Sequence, residues 1–317
     1  MGKNIKISVI LSFFNEEDII EELVNRLRNV FRNTLKSIIV DYELIFVNDA
    51  STDRSKEILL NLADGNDIKI INMSRNFGVS PCVLAGMKYS SGNVVVYMDA
   101  DLQDPPELIP ELIKEWMAGA GVVYTTRITR AGENPFKMWI TKLAYRFLRF
   151  FSEIDLPLDS GDFKLLDRRV VNELLKLNEK DPFIRGLVTW IGFKQVQIFY
   201  HREKRFAGKT HYPLCGIGPL KAFISGVTSF SLVPLTISLV IGLLVSVGSF
   251  MYLVIVIIMR LLNMVLPGLS AIMAIILFLG GIQLFTIGIL GLYIGRIYNE
   301  SKNRPNYIIE SMIGFEK

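Results

Sequence analysis

Over its first 130 residues the chain alternates between short apolar runs and longer stretches in which apolar side chains return every three to four positions. The runs at 5–14, 42–47, 68–73, 93–98 and 121–126 read as strands, since a short continuous apolar run bounded by turn residues suits a strand buried on both faces. Between them, 17–35, 52–63, 78–89 and 105–117 carry the helical period. Asp53 falls in the first turn of the second helix, where the dipole favours a carboxylate, and Pro105 and Pro106 suit the first turn of the fourth. Strand and helix in alternation, with short connections, predict an α/β domain built on a mainly parallel sheet covered by helices on both faces.

Two later stretches break this pattern. In 136–151, Phe136, Trp139, Ile140, Leu143, Phe147 and Phe150 share one helical face, and Lys142, Arg146 and Arg149 share another. Such a helix lies in a membrane interface, or packs on the sheet or in a subunit contact with its charges solvated. Further on, no Asp, Glu, Lys or Arg stands between Lys221 and Arg260, nor between Arg260 and Arg296. A membrane helix needs about 20 apolar residues, so each interval holds one span, within 232–259 and 269–294. The expected organisation is a domain at 1–230, two transmembrane helices at 231–295 and a tail at 296–317.

Charge adds an orientation. Arg202, Lys204, Arg205, Lys209 and Lys221 precede the first span, Arg296, Lys302 and Arg304 follow the second, and Arg260 sits in the connecting loop. The positive-inside bias then puts the domain and both termini in the cytoplasm, against the plasma membrane. The net charge of +4 suits an anionic membrane surface or anionic substrates and argues against nucleic acid, which calls for a longer basic stripe. No cleavable signal is expected, because the apolar run 7–14 is brief and Asn15, Glu16, Glu17 and Asp18 interrupt it. Cys82 and Cys215 form no CxxC pair, which fits a reducing compartment and argues against a zinc site.

Candidate chemistry follows from the strand ends. Asn15-Glu16, Asn48-Asp49, Ser74-Arg75-Asn76 and Asp99-Ala100-Asp101 each come directly after a predicted strand. In a parallel sheet these four clusters gather on the carboxyl edge, where ligands bind. On an extended segment Asp99 and Asp101 face the same way, and Gln103 follows on the same parity. Hard oxygen ligands of this kind suit Mg²⁺ or Mn²⁺ and leave positions open for phosphate oxygens. No dinucleotide fingerprint follows the first strand, and Gly208-Lys209-Thr210 is no P-loop, because Glu203 stands where the leading glycine is required.

Several motifs occur in order: Phe14-Asn15-Glu16-Glu17, Val47-Asn48-Asp49-Ala50-Ser51-Thr52-Asp53, Ser74-Arg75-Asn76-Phe77-Gly78 and Asp99-Ala100-Asp101-Leu102-Gln103-Asp104-Pro105-Pro106-Glu107. Gly161-Asp162-Phe163-Lys164-Leu165 and Arg202-Glu203-Lys204-Arg205-Phe206-Ala207-Gly208 follow them. The set resembles family 2 glycosyltransferases of the polyprenyl-phosphate, dolichol-phosphate mannose synthase-like branch. With the two-span tail it resembles most closely the bacterial polyprenyl-phosphate glucosyltransferases of the GtrB type. The resemblance implies a GT-A, Rossmann-like fold in which Glu16, Asp49 and the backbone around Ser12, Phe14 and Val47 hold a nucleotide. It further implies that Asp99, Asp101 and Gln103 hold the metal, and that Arg127, Arg202 and Arg205 bind phosphate groups. Asp162 is expected on a loop facing the sugar, and with Asp101 and Arg127 it makes up the catalytic set. Ser12 replaces a usual Pro, Asn48 a usual Asp, Ala50 a usual Gly and Lys209 a usual Glu; Asn48 and Ala50 bear on nucleotide choice.

The implied reaction is inverting, metal-dependent transfer of a hexose, glucose from UDP-glucose, onto undecaprenyl or another polyprenyl phosphate, by a homo-oligomer. A different donor (GDP-mannose, UDP-N-acetylglucosamine or a UDP-aminopentose) and a catalytically silent membrane scaffold are the alternative readings. A processive synthase is disfavoured, because its Gln-x-x-Arg-Trp signature is absent.

Overall fold

The computed structural model describes residues 5–35, 41–63, 67–130, 160–202, 217–262 and 268–315. The segment 136–151, together with Arg205, the Gly208-Lys209-Thr210 run and Cys215, lies outside the described residues. The chain divides into two compact units, Met1–Gly226 with Pro305–Lys317, and Val227–Arg304.

The first unit opens with β1 (Lys6–Phe13), α1 (Ile20–Asn29), β2 (Asp41–Asn48), α2 (Ser55–Leu62), β3 (Ile68–Met73), α3 (Val79–Tyr89), β4 (Val94–Asp99), α4 (Ile109–Met117) and β5 (Val122–Arg130). After β5 come β6 (Ser160–Asp167), α5 (Arg168–Lys176), α6 (Ile184–Trp190), β7 (Gln195–Arg202) and α7 (Ile217–Phe230). The second unit begins at Val227, within α7, and contains α8 (Val233–Leu261) and α9 (Leu269–Ser301), after which β8 (Ile309–Ile313) returns to the first.

The eight strands form one sheet in the order β7-β5-β6-β4-β1-β2-β3-β8. The β4-β1-β2-β3 core is parallel, as the alternation predicts, while β6 runs antiparallel to β4 and β5, and β8 antiparallel to β3. From β1 the chain adds β2 and β3 on one side and then crosses to place β4 on the other. The order therefore reverses between β1 and β4, and the crevice beyond their carboxyl ends is where ligands enter such a sheet. Ser12 and Asp99 are register partners across that gap.

Helix placement follows the apolar spacing. Ile20, Leu23, Val24 and Leu27 of α1 lie on one face and are all buried, with Glu21 and Glu22 in the first turn and Arg26 and Arg28 in the last, matching the dipole. The helical stretch continues past α1 only as a single π turn, Val30–Thr34. On the opposite face of the sheet α3 comes close: a Cβ on Gly86 would stand 2.4 Å from Ile10 Cγ2, so only glycine permits this approach.

In the second unit, α8 and α9 are long and apolar enough to cross a membrane, over Val233–Met259 and Ile275–Ser301. Neither buries its apolar stretch inside the structure, which sets them apart from core helices. The Tyr293 hydroxyl donates to the Ser231 carbonyl at 2.6 Å and Arg296 Nη1 to Thr228 Oγ1 at 3.2 Å, joining the end of α9 to the residues before α8.

Candidate functional site

Two loops at the carboxyl edge are laced together. The Asn15 N–H donates to Ser51 Oγ at 3.0 Å, and Asn15 Oδ1 accepts from the Thr52 N–H at 2.8 Å. The Glu16 N–H donates to Ser55 Oγ at 3.0 Å, and Glu17 and Asp53 exchange further bonds with Arg54, Ser55 and one another. Asn15, Ala50 and Leu102 have φ of 55°, 61° and 54°. This left-handed geometry costs about 1–2 kcal/mol for an ordinary residue. All three follow β1, β2 or β4 on the site edge, where such strain concentrates.

Glu16 and Asp49 are both buried beside this lacing. The Asp49 carboxylate accepts from the Phe77 N–H at 2.7 Å and the Gly78 N–H at 2.9 Å, so it braces the loop entering α3. Gly78, at φ 93°, caps that helix in a conformation suited to glycine. Asp49 also helps burial push the Cys82 thiol far up. Val47 is buried in register with Ser12, whose Oγ is buried and has no hydrogen-bond partner among the described residues. Phe14 is half-buried next to them.

Beyond β4 lies an acidic cluster. The strand ends at Asp99, and the chain bends there instead of continuing extended, with Leu102 in the left-handed region. Asp99 and Asp101 thus meet through a turn, and the extended parity expected to carry Gln103 beside them does not hold. The Gln103 N–H donates to Asp101 Oδ1 at 3.1 Å. Asp104 is wholly buried; it accepts from the Tyr200 hydroxyl, with Arg127 Nη2 at 3.4 Å and Arg202 Nε at 3.6 Å. Arg127 Nε donates to Tyr200 Oη at 3.0 Å, and Arg202 also comes within 4.0 Å of Asp101. A Cβ on Gly161 would stand 2.9 Å from Arg127 Nη2, so glycine there leaves the guanidinium its berth.

Asp162 lies within β6 rather than on a loop. Tyr97 pairs with Lys164, and two residues further along the same face come Asp99 and Asp162. Arg185 of α6 grips Asp162 in a bidentate pair, Nε at 2.7 Å and Nη2 closer still. Burial would raise the Asp162 carboxyl, but the Arg185 charge and bonds hold it at about 2. Burial also pushes the Lys164 ammonium down to about 8 against the pull of Asp162.

The balance of charge singles out one place. Asp104 and Asp162 have guanidinium partners and Asp101 has Arg202 at 4.0 Å, whereas the Asp99 carboxylate has no hydrogen bond or ion pair among the described residues. Burial, followed by the nearby Asp162, Asp101 and Asp104 charges, pushes the Asp99 carboxyl up to about 8. Asp99, with Asp101 beside it, is therefore short of positive charge, which fits a divalent cation. Among the described residues no three His, Cys, Asp or Glu side chains converge to hold an ion. Two carboxylates with water and phosphate oxygens completing the shell is an arrangement that suits Mg²⁺.

The structure thus brings Ser12, Asp99, Asp101, Asp162, Arg127 and Arg202 to one region of the sheet, with Glu16, Val47 and Asp49 on the neighbouring loops. Asp104, Lys164, Arg185 and Tyr200 were not singled out by sequence. Tyr200 stands two residues before Arg202 on one strand, a parity that could have flagged it; Arg185 carries no local signal.

The family model for Glycosyl transferase family 2 matches residues 8–175. The chain is 45% identical to "Uncharacterized glycosyltransferase YkcC" of Bacillus subtilis (strain 168), over 100% of this chain and 97% of that one. It is 37% identical to "Bactoprenol glucosyl transferase" of Shigella phage SfV, over 96% and 98%. Among solved structures, glucosyl-3-phosphoglycerate synthase from Mycobacterium tuberculosis with phosphoglyceric acid aligns at a TM-score of 0.47 and 20% identity. That alignment covers 71% of this chain and 79% of the other, and so loose a likeness bears on neither ligand nor mechanism.

Proposed function

The chain belongs to glycosyltransferase family 2, and on that premise we propose that it moves a hexose from a nucleotide sugar onto a polyprenyl phosphate at a membrane surface. The observation that carries this is the Asp99–Asp101 pair at the switch between β1 and β4, with the Asp99 carboxylate lacking a cationic partner among the described residues and Arg127 and Arg202 nearby. The relative named as a bactoprenol glucosyl transferase supports glucose as the sugar and a polyprenyl acceptor. The two long apolar helices support a lipid substrate and a domain at 1–230 followed by a transmembrane pair. The flanking positive charges support a cytoplasmic catalytic domain.

Asp99 and Asp101, with Gln103 close by, would hold Mg²⁺ or Mn²⁺, which when bound stabilises the nucleoside diphosphate as it leaves. Glu16, Asp49 and the backbone at Ser12, Phe14 and Val47 line the nucleotide side. The acceptor phosphate has a second pKa of about 6, so it reaches the site largely as a dianion and needs no general base. Arg127, Arg202 and Arg205 orient it, because a guanidinium fork matches phosphate oxygens. Asp162, with both oxygens engaged by Arg185, holds that arginine against the sugar side and does not accept a proton. Attack from the face opposite the diphosphate inverts the anomeric carbon. UDP-glucose as donor, undecaprenyl phosphate as acceptor and a homo-oligomeric state complete the reading.

Purified full-length protein in detergent, given a panel of labelled nucleotide sugars and undecaprenyl phosphate, tests it. One donor should give an organic-extractable product that chelator abolishes and Asp99→Asn cuts at least a hundredfold. Label in the organic phase that is indifferent to chelator and to Asp99→Asn would overturn the metal-dependent reading. No product from any donor, beside an active control enzyme, would overturn the transferase reading in favour of a silent scaffold.

A further inference from the structure

β8 arrives after the two apolar helices and pairs with β3 at the sheet edge. Covering an edge strand is reason enough for such an element. Its polar contacts go further. A bulge opposite Asn72 and Met73 puts Ser311 across from Asn72 and Ile309 across from Met73. Asn72 Nδ2 donates to Ser311 Oγ at 3.0 Å, and Asn72 Oδ1 accepts from Asn48 Nδ2 at 3.0 Å. Asn48 Oδ1 accepts from the Ser51 N–H at 2.8 Å. The direction of this relay is set at its end: a backbone N–H can only donate, so Asn48 must turn its oxygen to Ser51 and its amide nitrogen to Asn72. Asn72 must then turn its nitrogen to Ser311. Asn48 and Asn72 are buried, so each bond left unmade costs the desolvation of a polar group.

A second route reaches the same place. The Ile308 carbonyl accepts from the Ser74 N–H at 3.0 Å, anchoring the loop whose Phe77 and Gly78 N–H groups grip Asp49. Asp49 thus sits between two loops, the turn through Ala50 and Ser51 and the run 74–78, and β8 with the preceding Ile308 holds both.

We propose that β8, with Ile308 just before it, is a positioning element of the nucleotide site, acting through Ser311–Asn72–Asn48 on one loop and Ile308–Ser74 on the other; this rests on the reading of Asp49 as nucleotide-facing. The C-terminal strand then serves donor binding and leaves acceptor binding alone.

The test uses the full chain in detergent with Ser311→Val, which removes the hydroxyl, and Ser311→Thr, which has the same β-branched shape as valine and restores the hydroxyl. Ser311→Val should raise the donor KM about tenfold with the acceptor KM unchanged, and should speed amide hydrogen exchange at 48–55. Ser311→Thr should return both to wild-type values. A donor KM that stays put, an equal rise in both KM values, or no recovery with threonine would reduce β8 to an edge cover and overturn the inference. If the wild type transfers no sugar from any donor, the function reading itself fails. The exchange readout then judges the relay: unchanged exchange at 48–55 overturns it, and faster exchange upholds it.

Discussion

Ala50 shows how one residue departs from the local rule at this site. Its φ of 61° costs a non-glycine residue about 1–2 kcal/mol, whereas glycine would lose only about 0.5–1 kcal/mol in unfolded-chain entropy. Ala50→Gly should therefore stabilise the protein by about 0.5–1 kcal/mol, read as an upward shift of the unfolding midpoint; a lower midpoint would mean that the turn carries no strain. Gly161 is the converse case. Gly161→Ala would push on the guanidinium of Arg127, so stability should fall and acceptor kcat/KM drop about tenfold or more as the guanidinium shifts from buried Asp104 and from Tyr200. At this scale the sequence was legible where chemistry is local. Asp99 and Asp101 announce themselves by type and spacing. The Arg185–Asp162 pair does not, because 23 residues of chain separate the partners and only the fold brings them together.

Among the elements, the parallel core was the most readable part. The strand expected at 68–73 coincides with β3; β1, β2 and β4 differ from expectation by one residue at each end, and β5 runs four residues past the expected 126. β6 escaped because its pattern is mixed: Asp162 and Lys164 stand among buried apolar residues, and a buried lysine looks like a surface one in sequence. β8 escaped because it is short and follows an apolar stretch that dominates its surroundings. At the other end of the sheet, Glu43 of β2 is buried and bonded to Ser8 Oγ of β1 at 2.6 Å, Lys69 Nζ of β3 at 2.7 Å and the Ser91 N–H at 2.6 Å. Burial pushes its carboxyl up, but Lys69, Ser8 and Ser91 together hold it below the ordinary 4.5. A lowered pKa means stability that is complete above 4.5 and is lost as pH falls through the folded value. Glu43→Gln should cost about 2–4 kcal/mol at neutral pH and flatten the acid limb of the stability profile in denaturant titrations. An unchanged acid limb would assign that limb to other carboxylates.

Taken whole, the molecule joins a sheet whose carboxyl edge carries acidic and basic groups to a pair of helices suited to lipid, and then returns to the sheet with β8. Sequence alone was enough for the fold class and the apolar pair, since both are written in periodicity and charge. The wiring of the site was not, since it depends on strand order: β6 between β4 and β5 is what sets Asp162 beside Asp99. The central claim is that the acceptor is a phosphate already ionised, positioned by arginines and needing no base. The most direct measurement compares undecaprenyl phosphate with undecaprenol as acceptor for labelled UDP-glucose under otherwise identical conditions. Label should reach the organic phase with the phosphate and stay at background with the alcohol. Equal transfer to both acceptors would contradict this claim, because a neutral hydroxyl needs a general base to take its proton.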